Sequence, residues 1–479
     1  MPTSALTQLA RPAPRTGSAS ALGAEARLLL KYGTNALKLR SPLVAHRCGY
    51  LIGRERADPA VHRARANELL ARTFRAAERI PAHAKVAKKA PPSADLVDYL
   101  QREVPLMDKT SLQRHRADFY PNHGTAKPWW LIGESSGSTG SPTDVFRSLD
   151  SVFWEEAFHR QHWSWAGWRA HEPQAVLRGD LIASLEQRDP PLWFRDRLGR
   201  QLILSTRHLS EHTVGDFAEE VRRFGATQLR AYPSAAFGLA VALGHCRSAL
   251  RFHSVITGSE MLYPFQRAKI EEAFGARVYS FYGMSERVAF AAECEHGRMH
   301  VNPEYSIVEI LDEAGRPTDG EGFLVGTTLH NTVMPLLRYR LTDTARWDRR
   351  PCPCGRTYPV IERLGGKIED RVFDLKGRAI SSAVVGFAYK GLANIQKGQI
   401  AQIAPDRWVA RIVPGDRYTR ADGERLLENV ARYVSADVNV GLELVGDIPS
   451  MPSGKYKWVS QEWRPSPAGK AGDGPSPGQ

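Results

Sequence analysis

Residues 133–142 read Gly-Glu-Ser-Ser-Gly-Ser-Thr-Gly-Ser-Pro and follow the apolar run Trp129-Trp130-Leu131-Ile132. No other stretch constrains the chain as tightly. The apolar run reads as the end of a buried strand. Glycines after it allow close approach of backbone to a ligand. Hydroxyls and free N–H groups together make a cradle for phosphate oxygens. A Gly/Ser linker or turn is the competing reading. A linker seldom follows a buried strand directly and ends in Pro-Thr before another structured run. The loop lacks the Gly-Lys-Ser/Thr of a Walker loop and is not GxGxxG.

Periodicity beyond the loop sets the architecture. Residues 1–25 are rich in Ala, Pro, Ser and Thr and read as a disordered tail. Residues 26–83 read as helical: Leu69, Leu70, Phe74 and Ala77 recur at helical spacing with arginines opposite. From 145 to 283, strand-like runs alternate with helical ones, which predicts an α/β fold with a mostly parallel sheet. Ligands of such sheets bind at loops beyond the C-terminal strand ends. Residues 133–142, 258–260 and 282–286 all fall there. From about 300, short strands with Gly/Pro turns predict an antiparallel or barrel-like part joined to the α/β core. A boundary falls near Gly365-Gly366, and residues 367–464 read as a small α+β domain after a large domain of 26–366. The Pro/Gly/Ser-rich end, 465–479, reads as a second disordered tail.

Composition narrows the partners. The chain has 479 residues and a net charge of +13. Residues 1–90 hold 17 Lys/Arg against 5 Asp/Glu, so nearly all of the surplus lies there. That basic region is either a solvated helical face or a docking surface for an anionic partner such as an acidic carrier protein. No nucleic-acid motif accompanies it. No apolar run approaches the ~20 residues of a membrane span, and no basic-then-apolar leader opens the chain. Five cysteines in so long a chain do not suggest a disulfide framework, which points to a reducing cytoplasm.

Five segments in order then carry a family resemblance. Ser135-Ser-Gly-Ser-Thr-Gly-Ser-Pro142, Tyr282-Gly-Met-Ser-Glu286, Tyr339-Arg-Leu-Thr-Asp343, Gly366-Lys-Ile-Glu-Asp370 with Gly377, and Pro452-Ser-Gly-Lys455 resemble the motifs of the adenylate-forming superfamily, the acyl-CoA synthetases and their relatives. Ala231-Tyr-Pro-Ser234, Thr257-Gly-Ser-Glu260, Ala292-Glu-Cys-Glu295 and Pro335-Leu-Leu-Arg-Tyr-Arg340 are similar to the phenylacetate–CoA ligase-like, CapK-like branch.

The resemblance implies ATP-dependent joining of a carboxylate to AMP, with transfer of the acyl group to coenzyme A. An amine or a carrier protein is the alternative acceptor, and a non-catalytic nucleotide-binding relative is a third reading. It implies that Ser135, Ser136, Gly137, Ser138, Thr139 and Gly140 hold the β- and γ-phosphates of ATP. Glu286 carries Mg²⁺, a hard cation suited to carboxylate oxygen, and Ser285 meets the α-phosphate. Tyr282 and Gly283, with Gly258, Ser259 and Glu260, frame adenine. Asp343 accepts the ribose hydroxyls. Lys455 sits between the α-phosphate and the attacking carboxylate. Glu369 or Asp370 serves as the hinge about which the smaller domain moves. Ser141 stands where the family loop often has Lys. Lys367 stands where the hinge motif usually has Arg, and it lacks the bidentate fork; Arg363 is a candidate substitute. Tyr232, Pro233, Ala235, Ala236 and Met284 form the expected acyl pocket, which suits an aryl or medium acyl group. The partners expected are a small carboxylic acid and a second copy of the chain, with no nucleic acid.

Cys294, His300, Cys352 and Cys354 make one further constellation. Both pairs sit in turn-like sequence and supply three thiols and an imidazole, a set suited to structural zinc. Separate free cysteines are the competing reading.

Overall fold

A computed structural model describes residues 28, 32, 36–92, 95–121, 127–134, 144–179, 182–184, 187–245, 249–367, 372–375, 379–380, 382–389, 392, 394–449 and 457–463. The amino-terminal layer is helical, with helices Pro42–Arg54, Pro59–Ala77, Pro81–Ala87 and Leu96–Glu103. Proline opens the second of these, and the Asp58 side chain caps it by accepting from the Ala60 N–H. Its face of Leu69, Leu70, Phe74 and Ala77 is buried against Ile307, Leu329 and Leu337 of the sheet domain. Each large apolar side chain buried there contributes about 1.5–3 kcal/mol.

The centre is a 13-stranded sheet. Strands Gln201–Leu204, Gln174–Leu177, Gln228–Ala231, Ser254–Gly258 and Arg277–Gly283 lie side by side in that order, all parallel. Strands Gln201–Leu204, Gln174–Leu177 and Ser254–Gly258 are buried at every position, as expected of a sheet covered on both faces. Helices Val214–Phe224, Pro233–His245 and Pro264–Phe274 make the crossovers. The antiparallel strands are not a second sheet. They extend the parallel one through Phe290–Glu293, Met299–Val301, Val360–Lys367, Tyr339–Asp348, Gly322–Thr328 and Ser306–Leu311.

A separate four-stranded sheet follows, in the order Asn439–Leu444, Arg407–Pro414, Ile395–Gln402, Val459–Gln461, with helix Arg420–Asn429 beside it. Tyr389 and Trp458 of this unit share a core with Phe237, Tyr263 and Phe265 of the main domain. The fold is thus the expected α/β domain with a smaller α+β unit at its end.

One expectation is corrected. The strand before the Ser/Gly loop, Leu131–Glu134, is not buried in the central sheet. Among the described residues it pairs only with Asp144–Arg147, in a two-stranded ribbon, with Leu131 and Ile132 43% and 52% exposed. Apolar residues alone promised burial, but two strands offer little to bury them against.

Candidate active site

The parallel strands end along one edge of the sheet, and most of the described candidate residues stand on the loops that leave it. Tyr232 and Pro233 follow Ala231; Ser259 and Glu260 follow Gly258; Met284, Ser285 and Glu286 follow Gly283. The register of the parallel strands places Ala231 beside Thr257 and Gly258 beside Phe281.

Polar contacts link these loops. Glu260 Oε2 accepts from the Ser234 N–H at 3.0 Å, so its carboxylate sits at the start of helix Pro233–His245. Arg178, just beyond Leu177, donates to Ser259 Oγ at 2.8 Å, and its guanidinium lies 5.0 Å from the Tyr232 ring centre. Ser259 has φ +71°. A Cβ at Gly258 would lie 2.4 Å from the Phe281 ring, so only glycine fits there. Tyr232 is half-buried, whereas Ala236 is fully buried in the helix core. Ala235 packs on that same core, and Met284 packs with Tyr282 on the antiparallel side.

Tyr282, Glu286 and Asp343 converge. The Tyr282 phenol is held well above its ordinary value by burial and then by the adjacent Asp343 carboxylate, with Glu286 adding to it. Asp343 lies on strand Tyr339–Asp348, opposite Lys367 of strand Val360–Lys367. Glu286 is buried, 8% exposed. Its carboxylate also helps to raise the buried Tyr339 phenol, after burial itself.

Arg147 joins this group to the Ser/Gly loop, a link with no signal in the sequence. Its guanidinium donates to the Ser285 carbonyl oxygen. It also packs on Gly133, where a Cβ would lie 2.0 Å from Arg147 Cζ. Burial first, then the nearby Arg287, pulls the Arg147 guanidinium down to about 10. Arg287, with φ +56°, stands 3.5 Å from Glu155 of helix Leu149–Trp165. Burial opposes charge on Glu155. Arg287, His159 and the Tyr305 hydroxyl at 2.7 Å outweigh burial and hold that carboxyl well below the usual range. Arg147 and Arg287 therefore stand beside the carboxylates of Glu155 and Glu286.

Ser135, Ser136, Gly137, Ser138, Thr139, Gly140, Ser141, Glu369, Asp370, Gly377 and Lys455 are outside the described residues. Lys367 is described in its backbone only. Arg338, in the Pro-Leu-Leu-Arg segment, is structural: it makes a two-pronged pair with Glu309 at 2.9 and 3.0 Å and donates to the Val104 carbonyl.

Residues 372–462 match the family described as the CapK C-terminal domain. Phenylacetate-coenzyme A ligase of Thermus thermophilus is 26% identical over 239 residues, 44% of this chain. The chain spans about half the length of that curated relative, 54% of it. The carboxyl-terminal part of the chain thus matches the CapK C-terminal domain family, and a stretch of the chain is similar to a phenylacetate-coenzyme A ligase. The adenylate-forming fold extends over most of the molecule. 2-Hydroxyisobutyryl-CoA ligase, in its postadenylation state with R3-HIB-AMP, aligns with TM-score 0.66 and 18% identity over 85% of this chain and 91% of the other. The same ligase with 2-HIB-AMP and CoA in the thioesterification state aligns with TM-score 0.53 and 19% identity, over 85% and 92%. The match to the CapK C-terminal domain falls on the part of the chain that holds the separate four-stranded sheet, and Tyr282, Glu286 and Asp343 stand outside it.

Proposed function

We propose that this chain activates a carboxylic acid with ATP, forming acyl-AMP and pyrophosphate, and then passes the acyl group to the thiol of coenzyme A. The observation that carries this reading is the convergence of Tyr282, Ser285, Glu286 and Asp343, joined through Arg147 to the glycine that opens the Ser/Gly loop. The likeness to CoA ligases adds weight to it.

Each residue has a task that its chemistry suits. Ser135, Ser136, Gly137, Ser138, Thr139 and Gly140 cradle the outer phosphates. Glu286 has the hard oxygen donors that Mg²⁺ prefers, and that ion neutralises phosphate charge when bound. Ser285 orients the α-phosphate. Asp343 accepts from both ribose hydroxyls, while Tyr282, Gly283 and residues 258–260 frame the base. Lys455 brings its ammonium to the attacking carboxylate and the α-phosphate, where negative charge accumulates. Phosphoryl transfer of this kind rests on positioning and charge stabilisation. The unit of residues 367–464 is the lid, pivoting at Glu369 or Asp370. Tyr232, Pro233, Ala235 and Met284 border the acyl group.

ATP–pyrophosphate exchange over a panel of aryl and aliphatic acids tests the first half-reaction. Acid-dependent exchange is expected, and exchange with no acid in the panel would leave only nucleotide binding. Coenzyme A is then offered against amines and an acyl carrier protein. Thioester formation supports the reading; amide or carrier loading without acyl-CoA overturns the choice of acceptor.

A further inference from the structure

Three thiols and an imidazole meet away from the site above, where strands Phe290–Glu293, Met299–Val301 and Val360–Lys367 adjoin. The donor atoms of Cys294, His300, Cys352 and Cys354 all lie within 4.8 Å of one another. None of the four residues is more than 9% exposed. Cys294 Sγ is 3.7 Å from Cys352 Sγ, and Cys354 Sγ is 3.4 Å from His300 Nε2. A tetrahedral zinc with ordinary Zn–S and Zn–N bonds has edges of about 3.8 Å between sulfurs and about 3.5 Å from sulfur to nitrogen. The sulfurs are far beyond the ~2.05 Å of a disulfide.

The surroundings are those of a closed metal knuckle. Two turns repeat one geometry. Gly297 at φ +74° and Gly355 at φ +76° each close a turn onto a cysteine carbonyl, Cys294 at 2.9 Å and Cys352 at 3.1 Å. In each turn a backbone N–H two residues on points at a sulfur: His296 to Cys294 and Arg356 to Cys354, both at 3.4 Å. Such bonds favour thiolate over thiol. His300 Nδ1 faces the Tyr358 carbonyl at 3.3 Å, so its proton belongs there and the Nε2 lone pair is turned to the sulfurs.

The knuckle holds something. Arg356 pairs with Glu55, just past helix Pro42–Arg54, at 2.9 Å. Thr357 donates its N–H to the Glu55 carbonyl at 3.1 Å and its hydroxyl to the Ala57 carbonyl at 2.6 Å. Arg56 donates back to the Cys354 carbonyl at 3.2 Å. Glu55 also accepts from Trp165 and Gln161 of helix Leu149–Trp165. We propose that Cys294, His300, Cys352 and Cys354 hold one closed, structural zinc ion, and that this ion fastens the amino-terminal helical layer to the central sheet.

The test uses the full-length protein. Metal analysis after dialysis is expected to give about one zinc per chain. A mercurial titration of the native protein is expected to release zinc in step with thiol modification. Cobalt reconstitution is expected to give thiolate-to-metal charge transfer and tetrahedral bands. Cys352→Ser and His300→Ala are expected to lose the zinc, while Cys48→Ser, outside the tetrad, retains it. Should those variants fail to fold, the cobalt spectrum of the wild-type chain still decides. Absence of stoichiometric zinc, both as purified and after reconstitution under reducing conditions, overturns the site. Hydrogen exchange reads the fastening: metal removal is expected to speed exchange in Pro42–Arg54 at least tenfold, on the order of 1.4 kcal/mol of lost protection. Unchanged exchange there overturns the clamp.

Discussion

In the proposed reaction Lys455 and Arg147 separate two kinds of contribution. On the proposed reading Lys455 acts only while the carboxylate attacks. Lys455→Ala is therefore expected to abolish acyl-AMP formation, measured as pyrophosphate exchange, and to leave transfer from synthetic acyl-AMP to CoA largely intact. Equal loss of both half-reactions would remove Lys455 from that role. Arg147 acts through others, since its guanidinium ties the Ser285 carbonyl to Gly133. Arg147→Met is expected to slow exchange about a hundredfold, because small misplacements at a reacting centre cost that much. Arg147→Lys is expected to recover part of the rate. If Arg147→Met instead lowers the unfolding midpoint with exchange intact per folded molecule, the residue is structural. Glu286 and Asp343 were legible because their spacing to neighbours makes a motif. Arg147 was not: Val145-Phe-Arg-Ser reads as any strand, and nothing in it foretells a contact 138 residues away.

Among elements, the contact between the carboxyl-terminal unit and the main domain is the most exacting. Trp458 is 5% exposed, and its ring centre lies 4.8 Å from Tyr389, 5.1 Å from Phe265 and 5.6 Å from Phe237. A Cβ at Gly386 would lie 2.2 Å from the Tyr263 ring. Gly386→Leu is thus expected to separate the unit from helices Pro233–His245 and Pro264–Phe274 without unfolding either. Limited proteolysis would then cut between residues 367 and 372, and an unchanged cleavage pattern would refute that expectation. Trp458→Ala removes the ring itself and is expected to cost about 3–5 kcal/mol in the carboxyl-terminal unit, read by chemical denaturation. The periodic helices and apolar strands of both units could be read from sequence, because one period dominates each. The strand Trp193–Asp196 could not: it is a partly exposed antiparallel edge with Arg and Asp in its pattern. The exposed ribbon strand failed in the opposite way, since an apolar run does not say what will cover it.

At the scale of the molecule, part of the basic amino-terminal region meets counter-charges within the chain. Lys38 pairs with Glu156, Arg47 with Asp150, Arg54 with Glu304, and Arg63 with Asp95 and Asp98. Each exposed pair adds little stability. None of the described helices is long and apolar enough to cross a membrane. Acid sensitivity has another source. His83 and His162 are 5% and 1% exposed, and burial pulls them from 6.5 down to about 4 and about 3. Because both folded values lie below the unfolded one, the unfolded chain takes up protons first as pH falls. The stability that neutral His83 and His162 contribute is whole above pH 6.5 and drains away from 6.5 down to about 4 for His83 and about 3 for His162. Each can impose at most about 1.4 kcal/mol per pH unit. Unfolded carboxylates such as Glu155 titrate around 4.5, so the interval from roughly pH 5.5 to 6.5 belongs mainly to the histidines. The thermal midpoint is expected to fall across that interval, with His162→Phe flattening the slope by about one proton's worth. Zinc release would act in the same interval, but it would leave the slope of His162→Phe equal to that of the wild-type chain. A flatter slope in the variant is therefore the signature of a buried neutral histidine, and an identical slope would assign the acid sensitivity elsewhere.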